Sequence, residues 1–202
     1  MAFDVRILDD IHHFWFGPLD GPDAAPPPEK QQAWFTQNDA FDNAIVQQFG
    51  PVLEEAGAEA FDVDALSRTQ RVGLVILLDQ FPRNIFRASG EAFAYDREAR
   101  AVASHMMSRL DRYYMAERNF ILLPLMHHED VADQDLCIML YAEQTVKAPD
   151  RWKDFWRYAL DFATRHRDII RKFGRFPHRN ALLARVSTPE EEAFLRQHGR
   201  GF

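Results

Sequence analysis

The feature that most constrains the fold of this chain is a stripe of apolar side chains that recurs every three or four residues between Pro149 and Gly174. This spacing places the stripe on one face of a single long helix, and Gly174 is a residue type that ends helices. The stripe consists of Trp152, Trp156, Ala159, Ala163, His166, Ile170 and Phe173. A helix of this kind needs partner helices that cover its apolar face.

The rest of the chain shows the same helical periodicity, and no stretch shows sustained apolar/polar alternation bounded by hairpin turns. We therefore predict an all-α fold of about eight helices packed as consecutive antiparallel pairs. Prolines mark several expected boundaries: a break at Gly50-Pro51, a helix starting at Pro124, and a last helix opened by the capping sequence "TPEE" at 188–191. The 202 residues are predicted to form one domain, 1–202, with a Pro-rich loop at about 17–28.

Composition excludes several classes of protein. A single cysteine, Cys137, excludes an internal disulfide framework and a Cys-based zinc cage. The sequence shows no secretory signal and no apolar run long enough to cross a bilayer, so we predict a cytoplasmic protein that does not bind membranes. The pI of 5.6 and the absence of a nucleic-acid reader motif argue against nucleic-acid binding. The sequence does not indicate an oligomeric state.

Two similar segments, "LLDQFPRN" at 77–84 and "FGRFPHRN" at 173–180, each run an apolar helix into Phe-Pro. A residue before proline is pushed out of the α region, so Phe81 and Phe176 are expected to end or bend a helix. Asn84 and Asn180 can then cap the next turn. The intervening arginine suits a structural corner, because helix carbonyl ends attract cations, and equally suits capture of an anion. We expect the two corners to lie near each other.

Helical periodicity also turns several polar side chains inward. Such a set either pairs with itself or surrounds a polar ligand, because buried charge is costly unless it is paired. The candidate ligand-binding residues are Asp79, Gln80, Arg83, Asn84, His127, Glu129, His166, Arg167, His178, Arg179 and Asn180.

Specific catalytic motifs are absent from the sequence. The segment "HHED" at 127–130 lacks the i, i+4 histidine pair of a helical zinc site. No nucleophile elbow, glycine-rich phosphate loop or dinucleotide fingerprint occurs. We therefore predict no cofactor and no metal.

Four segments together resemble a known bacterial family, domain of unknown function nine-two-four. They are "LLDQFPRNIFR", "FILLPLMHHED", "RHRDIIRKFGRFPHRN" and "STPEEEAFL". The resemblance spans nearly the whole chain and implies a tetratricopeptide-repeat-like stack of helix pairs with a concave face. It implies no activity. The positions that match the family's motifs are Asp79, Gln80, Phe81, Pro82, Arg83, Asn84, His127, Glu129, His166, Arg167, Phe176, Pro177, His178, Arg179 and Asn180.

Two classes of function fit this sequence. The favoured interpretation is a binding module that holds a small anionic molecule or a peptide over Arg83, Arg167 and Arg179. The alternative is an enzyme, such as a metal-dependent hydrolase, that uses histidine and carboxylate groups as acid and base.

Overall fold

Helices follow one another along residues 3–199, the part of the chain that the computed structural model describes, and no strand occurs within it. Residues 1–2 and 200–202 of the predicted domain lie outside the described residues. The predicted all-α class is confirmed. The α-helices are α1 (Ile7–Phe16), α2 (Pro28–Phe35), α3 (Asp39–Ala58), α4 (Arg68–Val75), α5 (Phe81–Ile85), α6 (Asp96–Met107), α7 (Met115–His127), α8 (Val131–Lys147), α9 (Asp150–Phe173) and α10 (Pro189–His198). Shorter 3₁₀ segments cover Val63–Ala65, Gly90–Phe93, Leu110–Arg112 and Pro177–Arg179, and a π-helical segment covers Ile76–Gln80.

Contacts divide the chain into two compact units. The first unit comprises residues 1–87 and 91–124, and the second comprises residues 88–90 and 125–202. Each unit is described by itself, and the association of both into one domain stays a prediction. None of the helices in the described part of the chain combines the length and the apolar character that a bilayer crossing requires.

Aromatic rings form the core of the first unit. Trp15 of α1 lies edge-on to Phe120 of α7 at 5.5 Å between ring centroids, and it also contacts Phe81 at 5.9 Å. Phe81 in turn contacts Phe49 of α3 at 5.3 Å. Each buried aromatic ring removes a large apolar area from water. They therefore join four helices of the first unit.

The α1 and α4 helices approach so closely that only glycine fits at their contact. A Cβ atom on Gly73 would lie 2.1 Å from the carbonyl oxygen of Leu8. Ser67 starts α4 with a capping box, because its hydroxyl accepts the Gln70 N–H while the Gln70 side chain accepts the Ser67 N–H. Helix α1 thus packs closely on α4, a helix that is not its neighbour in the chain.

Two predicted helix boundaries at prolines are wrong. Helix α3 runs through Pro51 to Ala58, and α7 runs through Pro124 to His127. An interior proline removes one hydrogen bond and disfavours the helix. In α3 the side chains of Ile45, Phe49 and Leu53 nevertheless form one continuous buried stripe across Pro51. Burial of this stripe offsets the local cost of the proline.

The expectation that Phe81 ends or bends a helix at the first corner (Phe81–Asn84) is also corrected. Phe81 has helical dihedral angles (φ −60°, ψ −38°), and the helix continues to Ile85. The helical hydrogen-bond pattern changes one turn earlier, where the Phe81 N–H donates to the Ile76 carbonyl oxygen, five residues back. This π-helical turn is how the chain admits Pro82, which has no N–H of its own, without leaving the helix.

The second unit is organised by α8 and α9. Trp156 of α9 and Tyr141 of α8 are fully buried with ring centroids 5.6 Å apart. Helix α9 spans the predicted stripe and ends at Gly174, which is left-handed (φ 70°) as a helix C-cap commonly is. Helix α10 begins with the predicted capping box, in which the Thr188 hydroxyl accepts the Glu191 N–H. Both predictions are confirmed.

Candidate functional site

The turn after α9 forms the second corner, Phe176–Asn180. Phe176 has an extended backbone (φ −87°, ψ 108°), as the following proline requires, and Pro177–Arg179 then make one 3₁₀ turn. Phe176 is therefore non-helical as predicted, but α9 already ends before it, at Phe173 with Gly174 as the C-cap.

Glu129 holds this corner from the segment that follows α7. Its Oε1 accepts the Phe176 N–H at 2.7 Å and Arg185 Nη2 at 2.9 Å, and its Oε2 accepts Arg185 Nη1 at 2.6 Å. Burial by itself would raise the pKa of Glu129, but the hydrogen bonds from Arg185 and from Phe176 outweigh it and lower that pKa. Glu129 is thus an ionised carboxylate, and both of its oxygens already accept hydrogen bonds from the corner. It is a poor general base because its pKa is lowered.

Arg185 connects Glu129 to the rest of the corner. Its Nε donates to Asn180 Oδ1 at 3.0 Å, and its Nη2 also donates to the Phe176 carbonyl oxygen at 3.1 Å. Ala184 just before it has a left-handed backbone (φ 53°), which is uncommon for a residue with a side chain. This turn lets the Arg185 N–H donate to the Asn180 carbonyl oxygen at 2.8 Å, and so fixes the arginine.

A second carboxylate, Glu191, holds the corner from α10. Arg175 makes a bidentate pair with it, with Nε to Oε1 at 2.7 Å and Nη2 to Oε2 at 2.8 Å. Its Oε2 also accepts the Thr188 N–H at 2.7 Å and Asn180 Nδ2 at 3.2 Å. The hydrogen bonds from Arg175 lower the pKa of Glu191 to about 2. We call the chain of contacts from Glu129 through Arg185 and Asn180 to Glu191 and Arg175 the brace.

Three nitrogen-bearing side chains surround the phenyl ring that the brace fixes. The His166 ring centroid lies 5.5 Å and the His178 centroid 5.6 Å from the Phe176 centroid. The Arg179 guanidinium lies over the same ring at 4.6 Å, a cation–π geometry. His166 and Arg179 are buried. We call these four residues the Phe176 cluster.

Both histidines of the cluster are neutral at neutral pH. Burial is the main cause that lowers the pKa of His166 to about 4, and the positive charge of Arg179 adds to it. Burial and Arg179 likewise lower the pKa of His178 to about 4. His166 Nδ1 lies 2.9 Å from the Phe162 carbonyl oxygen and must donate to it, so Nε2 carries the lone pair.

The other predicted residues of the second unit have different surroundings. Arg167 pairs with its exposed neighbour Asp168 (2.9 Å). His127 is close enough to His166 and His178 for its charge to lower the pKa of both. Its segment is held by Gln134, whose Nε2 donates to the carbonyl oxygens of Met126 (2.7 Å) and His128 (2.8 Å).

Sequence reasoning missed much of the brace. Arg175 and Arg185 were not among the predicted site residues, and Glu191 was predicted only as part of a capping box. Asn180 was expected to cap a helix, but residues 181–184 form turns, and its side chain lies within the brace. The sequence feature that could have pointed to Arg175 and Arg185 was the surplus of arginine around the second corner.

The predicted residues of the first unit lie around α5. Arg83 donates to the Asp79 carbonyl oxygen and, through Nη2, to Asp96 Oδ1 at 2.8 Å. Its side chain is one-fifth exposed, whereas that of Asp79 is fully buried. Gln80 Nε2 donates to Asp79 Oδ2. Asp79, Gln80 and Arg83 therefore form a local polar group beside the π-helical turn.

Asn84 does not cap a helix, as the sequence suggested it could. It lies inside α5, and its Nδ2 donates to Asp42 Oδ1 at 2.7 Å. Asp42 also accepts Arg87 Nη2 at 2.9 Å. The side chain therefore joins α5 to α3. The expected proximity of the two Phe-Pro corners concerns both units and stays a prediction.

A buried carboxylate in the first unit escaped sequence reasoning altogether. Glu117 is fully buried and accepts the Tyr114 N–H at 2.8 Å. Its other oxygen contacts His12 Nε2 at 2.7 Å and accepts Arg68 Nη1. These partners come from α1 and α4, far apart in sequence, so no local pattern points to them. All its contacts are structural in character.

No group of three or more His, Cys, Asp or Glu side chains within residues 3–199 is placed to hold a metal ion. Cys137 is buried in α8, and burial raises the pKa of its thiol well above its usual value. A thiol in this state is not a nucleophile.

The fold and the brace together define an all-helical protein with a polar cluster at a fixed corner. The chain matches, over residues 11–199, the family described as bacterial protein of unknown function (DUF924), and it belongs to that family. It is similar to a solved structure of a protein of unknown function from Agrobacterium tumefaciens, with 32% sequence identity and a TM-score of 0.76. The similarity covers 96% of this chain and 99% of that one. A comparison with curated proteins finds no match.

Proposed function

We propose that this protein binds a small anion, a phosphate or carboxylate group, at the Phe176 cluster. The observation that carries the proposal is the convergence of His166, His178 and Arg179 on one phenyl ring, at 4.6–5.6 Å. Imidazole and guanidinium groups are the donors that proteins use for such anions.

The brace supports this assignment because it engages the two nearby carboxylates in hydrogen bonds with other donors of the corner. Glu129 is engaged by Arg185 and the Phe176 N–H, and Glu191 by Arg175 and Asn180. The brace also fixes the corner that carries Phe176, His178 and Arg179. Preorganised donors cost less ordering entropy when a ligand binds.

The state of the histidines predicts how binding depends on pH. A bound anion favours the protonated imidazole and raises the pKa of His166 and His178 from about 4 towards the ordinary 6.5. Binding is then coupled to proton uptake. We expect the affinity for phosphate, which keeps a negative charge over this range, to rise as the pH is lowered from 6.5 towards 4.

Isothermal titration calorimetry with inorganic phosphate and with acetate, at low salt and at several pH values, tests the proposal. We expect Arg179→Gln to weaken phosphate binding by roughly tenfold or more, because a hydrogen bond to a charged group is lost. His166→Gln should weaken it less and flatten the pH dependence. Arg157→Gln is the control, since Arg157 lies on α9, the helix that carries His166, and pairs with exposed Asp154.

A chain that binds neither phosphate nor acetate up to millimolar concentrations, although it is folded by circular dichroism, would contradict the proposal. Equal loss of binding in the Arg157→Gln control would show that the charge of α9, and not the cluster, attracts the anion. Binding of acidic peptides but of neither small anion would favour a peptide as the ligand.

A second function, acid–base catalysis, is favoured by one specific observation. The hydrogen bond from His166 Nδ1 to the Phe162 carbonyl oxygen leaves Nε2 as a proton acceptor in a buried setting. This tautomer can accept a proton at Nε2, although a pKa of about 4 makes His166 a weak base at neutral pH. A metal-dependent hydrolase gains no such support, because the described residues offer no metal-binding group.

We also propose two finer features: stacking of the helices as in tetratricopeptide repeats, which the family resemblance implies, and a cytoplasmic location. Asp79, Gln80, Arg83 and Asn84 stay predicted ligand-binding residues of the first unit. The close packing of the consecutive helices α8 and α9 supports the stacking. Small-angle scattering compared with the profile of a tetratricopeptide stack would test it.

A further inference from the structure

We propose that a cleft between α9 and α10 binds a small amphipathic carboxylate, a molecule with an apolar body and one anionic end. The cleft has a volume of about 370 Å³ and lies within the second unit. Clefts that hold small molecules range from about 300 to 1,000 Å³. It shares no lining residue with the Phe176 cluster, so this proposal stands apart from the proposed function.

The floor of the cleft is apolar and aromatic. Phe173 at the end of α9 meets Phe194 of α10 edge to face, with 5.2 Å between ring centroids. His198 stacks on Phe194 at 4.4 Å. Both phenylalanines are partly buried against Ile170 and the neighbouring core, so the floor is a fixed part of the fold. It offers an apolar ligand a rigid wall of rings.

The rim of the cleft carries mainly basic side chains. Arg165, Lys172 and His198 line it, against one acid, Asp168. Asp168 is engaged by Arg167 Nη2 at 2.9 Å. The His198 Nδ1 lies 3.1 Å from the Phe194 carbonyl oxygen and donates to it, and Nε2 can donate to a carboxylate when the ring is protonated.

The existing ion pairs of the rim do not prevent a carboxylate from binding. Lys172 Nζ is 4.0 Å from Glu190, and Arg165 pairs with Asp161 one turn away. All four side chains are at least half exposed. Pairs of this kind contribute little and exchange readily. A ligand whose apolar body covers Phe173 and Phe194 places its carboxylate beside Lys172, which already lies over the Phe173 ring at 4.9 Å.

The experiment compares three probes of one shape on the full chain: 4-phenylbutyrate, 4-phenylbutan-1-ol and 4-phenylbutylamine. Binding is followed by amide chemical-shift changes in NMR titrations at low salt. We expect the carboxylate to bind best, the alcohol more weakly and the amine least. The largest shifts should occur at Ile169, Phe173 and Phe194.

Two substitutions with opposite expected effects locate the site. Lys172→Gln should weaken 4-phenylbutyrate binding roughly three- to fivefold and leave the alcohol unchanged. Asp168→Asn should strengthen carboxylate binding by a similar factor, a result that loss of folding cannot produce. Lys153→Gln, a partly exposed lysine elsewhere on α9, is the control and should change nothing.

Each other outcome overturns the proposal. Failure of all three probes to bind at 10 mM, or equal affinity for the acid and the amine, removes the amphipathic carboxylate as the ligand class. Shifts that cluster away from α10, or an unchanged affinity in both Lys172→Gln and Asp168→Asn, remove the cleft as the site. Because Arg179→Gln leaves the cleft intact, it should lose phosphate binding but retain 4-phenylbutyrate binding.

Discussion

Glu129→Gln is the substitution that tests the brace most directly, because it keeps the size of the side chain and changes one oxygen into an NH₂ group. In the wild type Oε2 accepts Arg185 Nη1 at 2.6 Å. In the variant the NH₂ group takes the position of Oε2 if Oε1 continues to accept the Phe176 N–H. This NH₂ group then faces Arg185 Nη1, so two donors meet without an acceptor. The variant therefore removes a charge-assisted bond and leaves an arginine without its carboxylate.

The size of the effect follows from the burial of the pair. Hydrogen bonds to charged groups contribute about 1.5–3 kcal/mol, whereas fully exposed ion pairs contribute about 0–1 kcal/mol. The two side chains are 23% and 24% exposed, which places the pair between these limits. We expect the free energy of unfolding to fall by about 1.5–2 kcal/mol, and the melting temperature by about 3–8 °C.

Urea denaturation followed by circular dichroism measures this change, and a double-mutant cycle with Arg185→Met isolates the pair. The coupling energy should be about 1–2 kcal/mol. Asp135→Asn is the control, because Asp135 forms an exposed pair with Arg171 and its loss should cost under about 1 kcal/mol. Amide exchange at Phe176 should accelerate in Glu129→Ala but stay slow in Glu129→Gln, which keeps the acceptor.

Lowering the pH supplies a second check. The pKa of Glu129 is lower in the folded chain than the ordinary 4.5. The stabilisation by its ionised form is therefore present above about pH 4.5 and disappears as the pH falls through the folded pKa. The stability difference between wild type and Glu129→Gln should shrink in that range. A coupling energy near zero, with no change in Phe176 exchange in either variant, would refute the role of Glu129 in the corner.

Three further outcomes are expected. Gly73→Ala should lower the free energy of unfolding by about 1–3 kcal/mol in the same urea assay, because its Cβ would meet the Leu8 carbonyl oxygen at 2.1 Å; a neutral result would show that α1 and α4 can separate freely. Glu117→Gln should cost about 3–5 kcal/mol, since it breaks a buried charge network; a loss below 1 kcal/mol would mean that the carboxylate is dispensable. The pKa of His166 is lowered to about 4, so on acidification the unfolded chain takes up this proton at a higher pH than the folded chain does. The free energy of unfolding should therefore fall as the pH is lowered from 6.5 to 4. In denaturation curves measured across that range, His166→Gln should remove part of this pH dependence.

Local chemistry in the sequence was sufficient for α9 and for the start of α10 in the second unit. The stripe from Trp152 to Phe173, the stop at Gly174 and the capping box at Thr188 each depend on residues within a few positions of one another. Helical spacing and capping are local interactions, and the structure has the helices where the sequence predicts them. The same holds for Phe176, because the proline that follows it excludes the helical conformation.

The same proline rule failed at Phe81, and tertiary packing is the reason. Phe81 is fully buried against Trp15 and Phe49, and a π-helical turn before it allows the helix to pass through Pro82. Pro51 and Pro124 were read as boundaries for the same local reason, yet both lie inside helices. A local preference of a few kcal/mol is overcome where a continuous apolar face is buried on the far side of the proline.

Five of the residues that the sequence named lie at the second corner, but the sequence did not tell the role of each. It named Glu129, His166, His178, Arg179 and Asn180, yet could not tell that Glu129 and Asn180 hold the corner whereas the other three surround Phe176. Which residue takes which role depends on contacts between side chains that are tens of residues apart in the sequence. Hydrogen bonds and ion pairs act over a few ångströms, so only the tertiary structure decides which of these polar groups are hydrogen-bonded to one another.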